Sequence, residues 1–334
     1  MNRSHPDAVL LPDGGAPASI PAVDHYAGSE KLMRKALALQ AERANRGIAS
    51  FDVTFDCEDG AAVGAEQEHA DMLATLLMSE ENRFDRVGVR IHDVTHSSWL
   101  TDLQHIVAVA GTRLAYVTLP KARDADDVRW VLSALRDSEQ RRGLKRKIPL
   151  HVLIETHGAL HQVWQIAALE GVASLDFGLM DFVSAHHGAI PGSAMHSPGQ
   201  FDHVLLRRAK AEIVAAALAH GVVPTHNVTT ELIDVARVRE DARRAREEFG
   251  FLRMWSIHPN QIDPILSVMQ ADYSQLAEAM EVISAAQDAS WGPIRSNGRL
   301  HDRASYRYYW NLLKRAHATG CELPGDARER FFND

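Results

Sequence analysis

The chain has 334 residues, 46% of them apolar and 24% charged, a balance that can bury a large core as one big domain or two modest ones. Its net charge of −8 argues against a nucleic-acid binder, because neutralising phosphates needs a basic face. Its two cysteines, Cys57 and Cys321, stand far apart and form neither a disulfide framework nor a CxxC metal pattern, so a reducing, cytoplasmic setting is expected.

No apolar run approaches the roughly 18–20 residues of a membrane span. The basic clusters at Arg141–Lys147 and Ala242–Arg246 fall at or within helix-like segments and read as solvated faces. Residues 1–19 carry a short apolar patch broken by Asp and Pro, and read as a loose leader arm rather than a signal peptide.

From residue 20 onward, short β-type runs alternate with longer helical ones. Strands are expected at 20–26, 51–57, 87–92, 114–120, 149–155, 174–180, 222–228 and 252–258, each rich in Val, Ile, Phe and Leu. Between them lie helical patterns. The run 29–44 opens on a Ser cap, and 124–142 has acids in its first turn and bases in its last. The run 199–221 ends on Gly, and 229–250 opens on a Thr cap and ends on Gly.

Eight near-continuous apolar strands, each followed by a helix, imply a parallel sheet covered on both sides, and eight units favour a (β/α)₈ barrel over an open sheet. No GxGxxG or GxxxxGK[ST] loop follows any strand, which removes the usual dinucleotide and phosphate-loop readings. After residue 270 the alternation stops. A helical run at 272–289, a turn at 291–303 and an aromatic helix at 305–320 follow, so three parts are expected: an arm 1–19, a barrel 20–270 and a C-terminal helical lid extension 271–334.

In a barrel, reacting groups gather at the C-terminal ends of the strands. Those positions hold Glu58, Asp59, Arg90, Lys121, Glu155, Asp181, Asn227 and His258. Any one of these acids could simply cap a helix or pair with a cation. Several together on one rim are harder to explain that way, since an unpaired carboxylate is costly to desolvate. Glu155 and Asp181, on adjacent strands, could hold one Mg²⁺, which takes hard oxygen ligands and keeps exchangeable waters. An α-keto acid could chelate such an ion, with Arg90 binding a carboxylate or stabilising an enolate.

Zinc is the weaker reading. His186, His187 and His196 lie in a Gly/Pro/Ser loop, and adjacent histidines point in different directions, whereas zinc sites favour i,i+4 helical spacing or cysteine partners. His258, before a proline, reads as structural. There is no GxSxG elbow, and Cys57 lies in an apolar strand as an inert buried thiol.

The ordered segments FDCEDG, VRIH, LPK, LIET, LDFGLMD and IHPNQI resemble the HpcH/HpaI aldolase and citrate lyase beta-subunit family, which includes malyl-CoA and citramalyl-CoA lyases. The resemblance covers about residues 25–320. It implies a Mg²⁺-dependent carbon–carbon lyase on a (β/α)₈ barrel, assembled as a homo-oligomer, trimeric or hexameric. It implies Glu155 and Asp181 as metal ligands, Arg90 as the substrate arginine, and Glu58 and Asp59 as the acidic pair bracing that arginine and the metal's waters. Lys121 matches the family's PK lysine, and Asp302, in NGRLHDRASY, falls on the lid motif that supplies a catalytic aspartate from a neighbouring subunit.

Three departures accompany the match. The segment after the acidic pair lacks the family's frequent Lys and Arg, His92 stands where Asn is usual, and GFLRMWSIHP replaces a Gly- and Lys-containing stretch. Some of these positions lie near the acyl-CoA or carrier-protein arm. The expected substrate is therefore a hydroxy acid or its thioester, cleaved by retro-aldol or retro-Claisen chemistry to an α-keto acid such as oxaloacetate, glyoxylate or pyruvate. A pyruvate-type metal aldolase without a thioester, or a non-catalytic barrel that binds a metabolite or carrier, are the alternatives.

Overall fold

The computed structural model describes residues 4–11, 20–47, 51–59, 64–269, 273–318 and 322–332. Cys321 therefore lies outside the described residues, as does most of the expected leader arm. Eight parallel strands close a barrel in sequence order: β1 Val23–Ala27, β2 Asp52–Asp56, β3 Val87–Arg90, β4 Leu114–Leu119, β5 Leu150–Ile154, β6 Val172–Phe177, β7 Val223–His226 and β8 Arg253–Ser256. The barrel closes where β1 pairs with β8, Asp24 lying opposite Trp255. No helix among the described residues is long and apolar enough to cross a membrane.

Strand residues alternate between two environments. Val53, Phe55, Val89, Val117, Val152, Leu175 and Met254 join the apolar core beneath the helices. The intervening positions hold Asp24, Thr54, Asp56, Tyr116, His151, Asp176 and Arg253, all buried. The strands are thus not the near-continuous apolar runs expected: half of each faces a polar barrel interior. Gly88 makes room there, since a Cβ on it would meet the Tyr116 ring at 2.1 Å.

Helix signals translate unevenly. Ser29 precedes the helix Glu30–Asn45 without a side-chain capping bond, whereas Asp124 caps Ala125–Arg142 by accepting from the amides of Asp126 and Asp127. The expected Thr cap at residue 229 is wrong. Glu231 turns the chain by accepting from the amides of Ile233 and Asp234, and Asp234 then caps the helix Val235–Arg244. The expected single helix 199–221 is two, Gly199–Asp202 and Val204–Ala219.

Residues 21–269 form one compact unit, and the described parts of 1–20 and 270–334 form a second. In the second unit, residues 6–10 are not a loose arm but a short helix, Pro6–Leu10. Its Asp7 accepts from Trp310 Nε1 and Lys314 Nζ, both at 2.9 Å, on the helix Arg303–Ala318. The expected turn at 291–303 contains a hairpin, β9 Ile294–Ser296 and β10 Arg299–His301. Its Asn297–Gly298 corner has positive φ at both residues, the requirement of a tight hairpin turn.

Candidate active site

The C-terminal rim gathers most of the expected residues into one constellation. Arg90, the last residue of β3, meets Asp56, the last of β2 and its register partner. The guanidinium donates from Nε to Asp56 Oδ1 at 2.7 Å and from Nη2 to Oδ2 at 2.8 Å, a bidentate pair. Nη1 reaches Glu58 at 2.9 Å, and Nη2 also reaches Asp59 at 3.0 Å. Tyr26 on β1 donates to Asp56 Oδ2 at 2.8 Å, and its ring lies 5.4 Å from the guanidinium carbon. Burial pushes the Asp56 carboxyl up, but the bonds and charge of Arg90 outweigh it and hold it below the usual range.

Asp56 and Tyr26 did not stand out in the sequence. The available signal was the alternation Asp52, Thr54, Asp56, a polar face inside an apparently apolar run.

Lys121 follows β4 with positive φ, and its ammonium lies 2.5 Å from Glu58. The Lys121 amide donates to Glu155 Oε1 at 2.6 Å. Glu155, just past β5, is only 3% exposed and makes no ion pair among the described residues. Burial first, then the nearby charge of Asp181, lifts its carboxyl to about 8. Gly178 shapes this pocket, because a Cβ there would stand 2.0 Å from Glu155 Oε2.

Asp181 does not end a strand as expected. β6 stops at Phe177, and Asp181 sits exposed in the first turn of the helix Leu179–Ser184. An apolar run cannot by its pattern show where a buried strand hands over to a buried helix turn. Nor does Asp181 cap that helix, whose N-terminus has no side-chain capping bond. Likewise Cys57 follows β2 rather than lying in it, a buried thiol pushed up by burial.

The remaining rim candidates are tied into structure. Asn227 is buried and donates to Gln200 Oε1, and His258 Nδ1 accepts from the Asn260 amide. His186 Nδ1 bonds Phe182 O, while His187 has positive φ and is exposed. Asp302 lies in the second unit, where it is exposed and its Oδ1 accepts from the Ala304 amide at the start of the helix Arg303–Ala318.

A second group of possible metal ligands lies deeper. Asp24, His151 and Asp176 bring ligand atoms within 4.8 Å of one another. Asp24 is already saturated, by Arg253 at 2.7 Å, Thr54 at 2.8 Å and Tyr116 at 3.0 Å. Asp176 accepts from Ser174 and from Trp255 Nε1. Donor groups for a divalent cation thus occur at two levels, one buried in the barrel with its Asp24 already paired to Arg253 and one at the rim.

Residues 38–259, more than half of the chain, match the HpcH/HpaI aldolase/citrate lyase family. The chain belongs to that family. It is a carbon–carbon lyase of the aldolase/citrate lyase type. A solved structure of a citrate lyase from Burkholderia xenovorans LB400 is 52% identical, with a TM-score of 0.88 over 98% of this chain and 100% of that one. The L-malyl-CoA/beta-methylmalyl-CoA lyase of Rhodobacter capsulatus is 27% identical over 69% of this chain and 76% of its own length. CitE of Mycobacterium tuberculosis, solved with magnesium, acetoacetate and coenzyme A, shares the fold at 23% identity, with a TM-score of 0.65 over 90% of this chain and 99% of that one.

Proposed function

We propose that the enzyme is a Mg²⁺-dependent lyase, cytoplasmic and homo-oligomeric (trimeric or hexameric), that cleaves or forms a hydroxy acid or its thioester and releases an α-keto acid. The observation that carries this reading is Glu155, a buried carboxylate with no ion pair among the described residues, beside the exposed carboxylate of Asp181. Such a pair of hard oxygen donors fits Mg²⁺ held by Glu155 and Asp181. The interior triad fits it poorly, since Asp24 would have to give up Arg253. When bound, the ion supplies Lewis-acid polarisation of a hydroxyl or keto oxygen. The M. tuberculosis relative solved with magnesium supports the choice of metal.

The chain's own groups supply the rest. Arg90 is stiffened by Asp56 and braced by Glu58 and Asp59, so its charge is fixed in place before reaction. In cleavage the substrate hydroxyl gives its proton to Asp302 acting as base, the adjacent carbon–carbon bond breaks, and the carbonyl of the keto acid forms. The electron pair passes to the acyl fragment as an enolate, whose oxygen Arg90 stabilises. Asp302, brought by the C-terminal lid extension of a neighbouring copy, delivers the proton to the enolate carbon. Lys121 orients Glu58 and, through its amide, Glu155.

The test is release of pyruvate, glyoxylate or oxaloacetate from a panel of hydroxy acids and their CoA esters, with and without Mg²⁺. Metal-dependent release that Glu155→Ala abolishes is expected. Unchanged Mg²⁺-dependent turnover in that variant rejects the assignment.

A further inference from the structure

His92 lies two residues beyond Arg90, and the Ile91 amide still bonds Thr118 O, so the chain runs on beside β4 past the end of β3. That places its backbone about 6–7 Å further along the strand direction than Arg90. Its ring is held on two sides. Nδ1 lies 2.5 Å from Oδ2 of Asp102, which is 3% exposed in the first turn of the helix Trp99–Ala110. One face stacks on His96, with centroids 4.0 Å apart and planes 12° apart. Nε2 has no partner among the described residues.

The neighbouring cations are already committed: Arg90 meets Asp56, Glu58 and Asp59, and Lys121 meets Glu58. Among the described residues, His92 has one ring nitrogen tied to Asp102 and the other without a partner. An imidazolium whose Nδ1–H is given to a carboxylate presents Nε2–H as a second, oriented donor. Asp102, through its hydrogen bond, raises the His92 pKa above the ordinary histidine value, and Glu58 and Glu66 add to this. The shift favours the imidazolium, and in that form the ring prefers an anionic oxygen to the weaker carbonyl acceptor of a thioester.

We propose that His92, oriented by Asp102 and backed by His96, receives the distal carboxylate of the substrate, so that the enzyme selects hydroxy and keto diacids carried as free acids. This rests on the lyase reading above, with the keto-acid end at Glu155, Asp181 and Arg90.

The test is calorimetric titration of the protein with oxaloacetate and with pyruvate, a keto diacid and a keto monoacid, each with and without Mg²⁺. The wild type is expected to bind oxaloacetate at least tenfold more tightly than pyruvate. His92→Asn should bring the two within threefold while leaving pyruvate affinity unchanged. Asp102→Asn, which keeps the imidazole but loosens its orientation, should give an intermediate ratio. An unchanged ratio in His92→Asn overturns the proposal, and so does an equal weakening of both acids, the mark of a merely structural residue. If neither acid binds the wild type in a Mg²⁺-dependent way, the lyase reading itself has failed, a different result from a ratio that ignores His92.

Discussion

The barrel holds two clusters of acids around an arginine, one sealed inside and one at its mouth. Inside, Arg253 meets Asp24 at 2.7 Å and Asp52 at 2.6 Å, and Tyr116 and Thr54 satisfy what remains of Asp24. At the mouth, Arg90 meets Asp56, Glu58 and Asp59 as fully, yet Glu155 and Asp181 are left over beside it. Both clusters use the same residue types at inward strand positions or just beyond strand ends. What separates scaffold from site is a buried carboxylate that meets no cation among the described residues. A sealed cluster whose acids already hold an arginine has little to offer a cation, whereas an open one short of positive charge invites it.

That contrast is broken most severely by exchanging roles. Glu155→Ala should lower metal-dependent turnover by on the order of 10³-fold, since a Lewis acid contributes several kcal/mol at the transition state. Its melting temperature should stay at or above that of the wild type, because a buried, unpaired carboxylate is removed. Steady-state kinetics beside a thermal melt read both, and a loss of activity matched by a loss of fold would blur the two clusters into one.

Arg253→Met should do the reverse. It strips the countercharge from two buried carboxylates and should cost about 3–5 kcal/mol of stability. Chemical denaturation gives the number. A well-folded Arg253→Met with wild-type stability would mean that the interior acids are neutral and the ion pairs incidental.

The barrel was legible in the sequence because period and alternation are local properties: six of the eight strands lie within their expected segments, while β1 ends one residue beyond its segment and β6 begins two residues before its own. Its polar interior was less legible. Asp24, His151 and Asp176 sit in runs dominated by outward-facing Val, Leu and Phe, and only strand-by-strand alternation separates the faces. At the site, Glu58, Asp59, Arg90, Lys121 and Glu155 were readable as strand-end charges, since position along a barrel strand fixes position on the rim. Asp56 was not, because its role is defined by its register partner Arg90, 34 residues away. The state of Glu155 was equally hidden, being set by burial and by the approach of Asp181 from another strand's loop. The hairpin at Asn297–Gly298 is a different miss, since its dipeptide signal was present and local.

The open cluster should also answer to pH. Glu155 has an ordinary value of 4.5 and is raised to about 8, so between those values the folded apo protein holds a proton that the unfolded chain has lost. Its contribution to apo stability therefore falls as pH rises across that window. A cation held by Glu155 must displace the same proton, so Mg²⁺ affinity should climb by up to roughly tenfold per pH unit below 8 and level off above it. Titrations at pH 6, 7 and 8 in two buffers of different ionisation enthalpy would show the released proton. An affinity that does not change with pH would place the cation on other ligands.

The smallest expected effect is the one that sharpens the comparison most. His151 stacks on Tyr116 at 3.9 Å, and its Nδ1 is buried without a hydrogen-bond partner among the described residues, so on composition alone the interior triad is as good a metal site as the rim. Saturation of Asp24 argues otherwise. His151→Phe keeps the ring that stacks and deletes both nitrogens. It lies four residues before Glu155 along β5, about 13 Å by strand rise. Sites so far apart act independently, so Mg²⁺ or Mn²⁺ affinity in His151→Phe should stay within about twofold of the wild type. Glu155→Gln, in the same titration, should abolish binding. A loss of metal in His151→Phe with retention in Glu155→Gln would reverse the assignment, making the sealed layer the metal centre and the rim an anion-binding mouth.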